Sequence, residues 1–364
     1  MLYCAYASLI YKHLDVNIPK ERKGLKKQWG IQKGAQILAP FRTFHSSKSD
    51  IHELGYLSKW LFASRSIILI ISMQAAVISG LLTILYGGFH LFYFILVLIG
   101  FVTAHAVSNL MNDYFGYRRG HDMIESPRLK YTVHPIADKV ASKKELLQVI
   151  LVLMAAGLLI AGYLTMVRGY MTLIFLASGA FFLFMYDVSP MTLKSIGLGE
   201  TAAFIVWGPL MIGSGYFIIS GSLSLTPFLV SIPYGLGVMS ILIGKHLDQI
   251  QFDHGIGQRT LPVILGEKNS RLLNISVILM MYLFTLFLAV FERAPFPLLI
   301  VFFNLPAGWS TVKTLYRAKP LEAPKGYIGW PLWYHRYSLK HVRSFGFLYM
   351  AGLASAAVLH LFIK

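Results

Sequence analysis

Nine apolar stretches, each near the ~20 residues that a bilayer-crossing helix needs, follow one another along this chain. They run over about 61–86, 89–112, 145–167, 170–187, 198–220, 225–247, 270–291, 295–315 and 344–363. In lipid a backbone must satisfy its own hydrogen bonds, so stretches of this kind fold as helices. With 56% hydrophobic and 13% charged residues among 364, the chain has too little polar surface for a soluble domain of this size. The expected fold is all-α, a polytopic membrane bundle of nine transmembrane helices over residues 61–364, preceded by a basic arm over residues 1–60.

Charge orients the bundle. Of 33 Lys and Arg, only Arg168, Arg293 and Lys364 fall on one side, and all the others fall on the opposite side. The basic side is expected to be cytosolic, which puts the N-terminus inside and gathers the loops after spans two, four, six and eight in the cytosol. The protein is expected in the cell inner membrane with its working face toward the cytoplasm. The net charge of +17 is carried by residues that border the spans. Anionic lipid headgroups and a polyanionic substrate account for it, and no nucleic-acid partner is expected. The run PKERKGLKK, from Pro19 to Lys27, reads as a solvated or lipid-facing juxtamembrane arm. The opening MLYCAYASLIYKHLD lacks a basic n-region and a small-residue cleavage site, so no signal peptide is expected. Cys4 is the only cysteine, which leaves no disulfide and no thiolate metal site.

Two acidic clusters stand where apolar spans run out into charged loops. The first, in SNLMNDYFGYRRGHD, holds Asn109, Asn112, Asp113 and Asp122. If the second span continues helically through the motif, His105, Asn109 and Asp113 recur at i, i+4 and i+8 and share one face. The second, in KHLDQIQFDHGIGQRTLPVILG, holds Asp248 and Asp253. Five residues apart, these two point about 140° from each other on a straight helix and converge only if the span ends between them. Carboxylate and amide oxygens without thiolates or paired histidines favour a hard cation. Mg²⁺, which joins a few carboxylates to phosphate oxygens, suits the set. Arg118, Lys245 and Arg259 stand where they could grip a diphosphate, and each could equally be a surface cation.

These segments together resemble the UbiA superfamily of intramembrane prenyltransferases. NLMNDYFGYRRGHD is similar to the NDYFD-x-x-x-G-x-D form of that family's first Asp-rich motif in 1,4-dihydroxy-2-naphthoate polyprenyltransferases. YDVSPMTLKSIGLGE, from Tyr186 to Glu200, resembles the same branch's Y-x-x-x-P-x-x-L-K-x-x-GLGE stretch, and Asp248 to Gly266 resembles D-x-x-x-D-x-x-x-GKRTLPVRLG. Two positions depart: Gly116 stands where the family usually has an Asp, and Gln249 stands at the usual first Asp of the second motif.

The resemblance implies a Mg²⁺-dependent transfer of a prenyl group from a polyprenyl diphosphate to an aromatic acceptor, 1,4-dihydroxy-2-naphthoate on the way to menaquinone. It implies that Asn112, Asp113, Asp122, Asp248 and Asp253 hold metal and diphosphate. Lys194 and Arg259 would then neutralise the leaving group, with Tyr186, Asn109, Arg118 and Lys245 lining the substrate. Another acceptor, such as 4-hydroxybenzoate or homogentisate, or a terpene cyclase-like reaction, is the nearest alternative. An ion-coupled transporter is disfavoured, because transport sites lie near the bilayer midplane whereas these Asp residues sit at one edge.

Overall fold

The computed structural model describes residues 55–122, 126–189, 191–291, 293–327 and 329–363, so most of the basic arm lies outside the described residues. Among them are nine helices long and apolar enough to cross a membrane: α1 Ser66–Tyr86, α2 Leu91–Arg118, α3 Lys143–Arg168, α4 Tyr170–Asp187, α5 Gly199–Ser220, α6 Leu225–Asp248, α7 Glu267–Val290, α8 Phe296–Tyr316 and α9 Tyr334–Phe362.

Three helices start or stop away from the apolar boundaries, each for a local reason. The first apolar stretch is not one helix. A short helix, Tyr56–Ala63, ends before it, and Arg65 turns the chain with φ 58 and ψ 49 before α1 begins. A side chain other than glycine in this left-handed region costs roughly 1–2 kcal/mol. α2 runs six residues past the end of its apolar stretch, because its last turns find polar partners from neighbouring elements. α9 starts ten residues before its apolar stretch, because the carboxylate of Asp248 accepts the N–H groups of Trp333, Tyr334 and His335 at 2.8, 3.2 and 3.0 Å. It thereby caps a helix start from another span.

α1 and α6 are 67% buried and α5 61%, against 11% for α3 and α4, so the first three form the centre and the last two the rim. The rim helices leave Leu158, Leu159, Met166 and Phe181 exposed, a surface that lipid covers. In the centre, tyrosines fill space and satisfy their own hydroxyls: Tyr234 donates to the carbonyl of Ile71 at 2.7 Å and Tyr216 to that of Tyr86 at 2.9 Å. α5 is widened at Val206–Leu210, where Pro209 brings no N–H and Gly208 leaves helical angles with φ −93 and ψ −105. There α5 approaches α6 so closely that a Cβ on Gly208 would stand 3.1 Å from the Cα of Gly235. At the sparsely charged end of the bundle, Arg168 donates to the carbonyls of Ile218 and Ile219 at 2.8 and 3.0 Å and covers the ring of Tyr93.

Candidate active site

The helical extension of α2 aligns His105, Asn109 and Asp113 on one face, and each meets a group on α1 or the turn before it. His105 pairs with Ser72, Asn109 donates to the carbonyl of Ser64 at 2.9 Å, and Asp113 takes the guanidinium of Arg65. The left-handed turn at Arg65 is what swings that side chain onto Asp113. Asp113 is fully buried, and a second guanidinium grips its other side: Arg128 donates through Nη2 to Oδ2 at 2.9 Å and through Nε to Oδ1 at 3.3 Å. Arg128 is placed by a short helix, Pro127–Tyr131, that Ser126 caps and Pro127 starts. Sequence reasoning nominated neither arginine, since each looked like an interfacial anchor.

Asp122 folds back over the helix, and its carboxylate lies against Gly116, where a Cβ would overlap it. His134 approaches from the other side, Nε2 lying 3.4 Å from Asp122 Oδ2. The Nδ1 of His134 accepts the N–H groups of Ile136 and Ala137 at 3.2 and 3.1 Å. In the neutral ring the proton therefore sits on Nε2, an atom with no hydrogen-bond partner among the described residues. Asp113, Asp122 and His134 each offer an atom within 4.8 Å of the others. With Nδ1 of His134 taken by the backbone and Nε2 carrying the proton, the ligands left are carboxylate oxygens, a set that fits a hard divalent cation.

The loop after α4 adds a second anion. Asp187 Oδ1 accepts from Asn112 and from Lys194, each at 2.7 Å, while its buried Oδ2 has no hydrogen-bond partner among the described residues. Arg119 donates to the carbonyls of Asp187, Val188 and Ser189, closing the end of α4. The Lys194 ammonium also lies 5.7 Å from the ring centroid of Tyr186. Lys194, Tyr186 and Asn112 are thus brought together, whereas Arg118 is exposed on the outer side of its helix. Burial lowers the pKa of His121, and the cations of Lys194 and Arg119 lower it further, so this ring stays neutral at pH 7.

The second motif divides. α6 ends at Asp248, Gln249 leaves helical geometry with φ −116 and ψ 8, and a short helix, Ile250–Gly255, restarts. That break was the expected condition for Asp248 and Asp253 to converge, yet it gives them different partners. Asp248 is committed to the start of α9 and to Lys319 at 3.1 Å. Its carboxylate thereby ties the end of α6 to the start of α9 and to Lys319. Asp253 stays with the site: it is buried, accepts from Thr260 at 3.3 Å, and interacts electrostatically with His246, Lys245 and Lys194. Burial raises its pKa, and the interactions with His246, Lys245, Lys194 and Thr260 only partly oppose the rise. Lys245 also interacts with Arg65 and Arg128, so both motifs share one electrostatic environment.

The departure at Gln249 has a structural partner, since its side chain interacts with the hydroxyl of Tyr131, on the same short helix as Arg128. This contact joins the two motif regions at one end of the bundle. Glu200 and His246 form a further buried pair at 2.6 Å, linking the GLGE segment to the end of α6. Arg259 is exposed, and among the described residues no ion pair involves it.

Comparison with known proteins identifies the family. The model of the UbiA prenyltransferase family matches residues 73–328. The chain belongs to this family. This UbiA prenyltransferase is an integral membrane protein and a transferase. It is 22% identical over 257 residues to a 1,4-dihydroxy-2-naphthoate octaprenyltransferase of Bacillus subtilis, covering 71% of this chain and 78% of that one. It is 27% identical over 240 residues to a 2-carboxy-1,4-naphthoquinone phytyltransferase of a Synechocystis species, covering 65% and 74% of the two chains. Its fold is similar to that of a UbiA homologue from Archaeoglobus fulgidus solved with DMAPP and Mg²⁺. That likeness has a TM-score of 0.56 at 14% identity, over 80% of this chain and 99% of that one.

Proposed function

We propose that this UbiA prenyltransferase moves a polyprenyl group from its diphosphate to 1,4-dihydroxy-2-naphthoate, a step toward menaquinone, using Mg²⁺ at a site that faces the cytoplasm. The observation that carries the reading is the meeting of Asp113, Asp122, Asp187 and Asp253 with Arg65, Arg128, Lys194 and Lys245 at one end of an apolar bundle. Asp113, Asp122 and Asp253 would hold the metal, with Asn112 and Asp187 beside them. Bound there, Mg²⁺ would neutralise diphosphate oxygens and make the diphosphate a better leaving group.

The chain's cations do the complementary work. As the bond between the allylic carbon and oxygen breaks, the diphosphate leaves with the bonding pair, and Lys194, Lys245, Arg65 and Arg128 balance its growing charge. The electron-rich ring carbon then gives its pair to the allylic carbon and afterwards loses the carboxylate as CO₂ or a proton. Water would quench the allylic cation, so the reaction is suited to the apolar interior below the charged rim. The naphthalene acceptor is supported by the LKSIGLGE segment and by the names of both relatives. The cytoplasmic orientation is supported by the one-sided distribution of Lys and Arg.

The test is turnover by purified protein given geranylgeranyl diphosphate, Mg²⁺ and one acceptor at a time, with the product read by mass spectrometry. Dihydroxynaphthoate should be prenylated faster than 4-hydroxybenzoate or homogentisate. A reversed order would move the chain to another acceptor class.

A further inference from the structure

Below the charged rim, three polar side chains from three helices form a directed hydrogen-bond relay. Trp207, on the widened turn of α5, donates from Nε1 to Ser72 Oγ at 3.0 Å. Ser72 Oγ stands 2.8 Å from His105 Nδ1, and the rings of His105 and Trp207 meet edge to face at 5.0 Å. Indole N–H only donates, so it fills the acceptor side of Ser72. The Ser72 hydroxyl hydrogen then goes to His105 Nδ1, its one hydrogen-bond acceptor among the described residues. With Nδ1 accepting, the neutral imidazole carries its proton on Nε2.

No hydrogen-bond partner meets that Nε2 among the described residues, and the residue as a whole is 9% exposed. Packing of α1, α2 and α5 explains the bonds at Ser72 and Trp207, as polar groups commonly join membrane helices. It does not explain an N–H left without a hydrogen-bond partner, since an intramembrane donor without one is costly. His105 precedes Asp113 by eight residues on the same face of α2, which is about 12 Å deeper along the axis.

We infer that His105 Nε2–H holds an oxygen of the aromatic acceptor, so that the Ser72–His105–Trp207 relay is the acceptor's hydroxyl-recognition subsite. The inference rests on the acceptor reading above. The relay also makes His105 a donor and not a base. Protonating the ring would set an Nδ1–H against the Ser72 hydroxyl and leave that hydroxyl's own hydrogen with no acceptor among the described residues.

The test is equilibrium binding to the full chain in nanodiscs, with 1-hydroxy-2-naphthoate as probe and 2-naphthoate as its deoxy control. Wild type should bind the hydroxylated probe at least tenfold more tightly than the control. His105→Phe should erase that preference while leaving geranylgeranyl diphosphate affinity unchanged in the protein that remains folded, and His105→Gln, which restores an N–H, should recover much of it. A His105→Phe protein that keeps the wild-type preference would overturn the inference. 4-Hydroxybenzoate and its deoxy control, benzoate, are run in parallel. If wild type prefers 4-hydroxybenzoate in a His105-dependent manner, the naphthoate reading falls and the subsite stands. If no hydroxylated arene outbinds its deoxy control, the subsite falls.

Discussion

The carboxylate of Asp122 occupies the space directly over Gly116, so that a Cβ at position 116 would overlap it and stand 3.2 Å from its Cγ. The glycine that departs from the family pattern is therefore matched by a carboxylate arriving from six residues later. Simple restoration of Asp at 116 is consequently not a neutral change. Gly116→Asp and Asp122→Gly should each lower turnover about tenfold or more, and the double variant should lose less than the two effects combined. A double-mutant cycle on kcat, with Mg²⁺ titrated in each protein, checks this coupling.

Asp113 and Asp253 should separate stability from activity. Asp113→Asn leaves Arg65 and Arg128 facing a neutral side chain in a buried site, a loss of roughly 3–5 kcal/mol, and should abolish turnover as well. Asp253→Asn should also remove turnover but leave the fold at least as stable at neutral pH. Thermal melting beside product formation distinguishes the two.

The pH dependence of that comparison has a definite sign. Burial raises the folded pKa of Asp253 above its unfolded value near 3.8, against the opposing charges of His246, Lys245 and Lys194. Its favourable contribution is complete below the unfolded pKa and is lost as pH rises through the folded one. In metal-free protein, the melting temperature of Asp253→Asn relative to wild type should therefore climb as pH rises above about 4 and level off above the folded pKa.

Asp248→Ala should behave as a structural lesion. It removes an acceptor shared by three N–H groups of α9 and leaves Lys319 without its partner, a cost of about 2–4 kcal/mol. The protein that remains folded should need no more Mg²⁺ for half-maximal rate than wild type. A large rise in that requirement would return Asp248 to the metal site.

Topology is checked by labelling single cysteines in a Cys4→Ser background. Lys144→Cys and Gly255→Cys, both at exposed positions, should react with an impermeant thiol reagent from the cytoplasmic side, and Ser222→Cys from the other. Gly120 is unsuitable because its φ of +78 disfavours a side chain. Reaction of Lys144→Cys and Gly255→Cys from opposite sides would contradict a shared site.

The nine spans were legible because an apolar run of sufficient length has one outcome in lipid. So was the His105, Asn109 and Asp113 stripe, which needs only helical periodicity. Helix ends were less legible where distant groups decide them: nothing near Tyr334 announces that Asp248 will cap α9. Arg65 and Arg128 escaped for a similar reason. Arg65 lies 48 residues from the carboxylate that it grips, and an arginine at a span's edge looks the same whether it serves lipid or Asp113. Asp187 stood inside a recognised segment, but its role depends on Asn112, 75 residues away.

The bond between Asp248 and the start of α9 also imposes an order on biogenesis. Its first N–H partner, on Trp333, lies 85 residues downstream, roughly 4–17 s of synthesis at ordinary ribosomal speed. Throughout that interval the carboxylate at the end of α6 has no helix start to cap. The second motif thus reaches its final shape only when the last helix arrives, so a chain truncated before α9 loses the anchor beneath Gln249 and Asp253 even with every residue of both motifs already made.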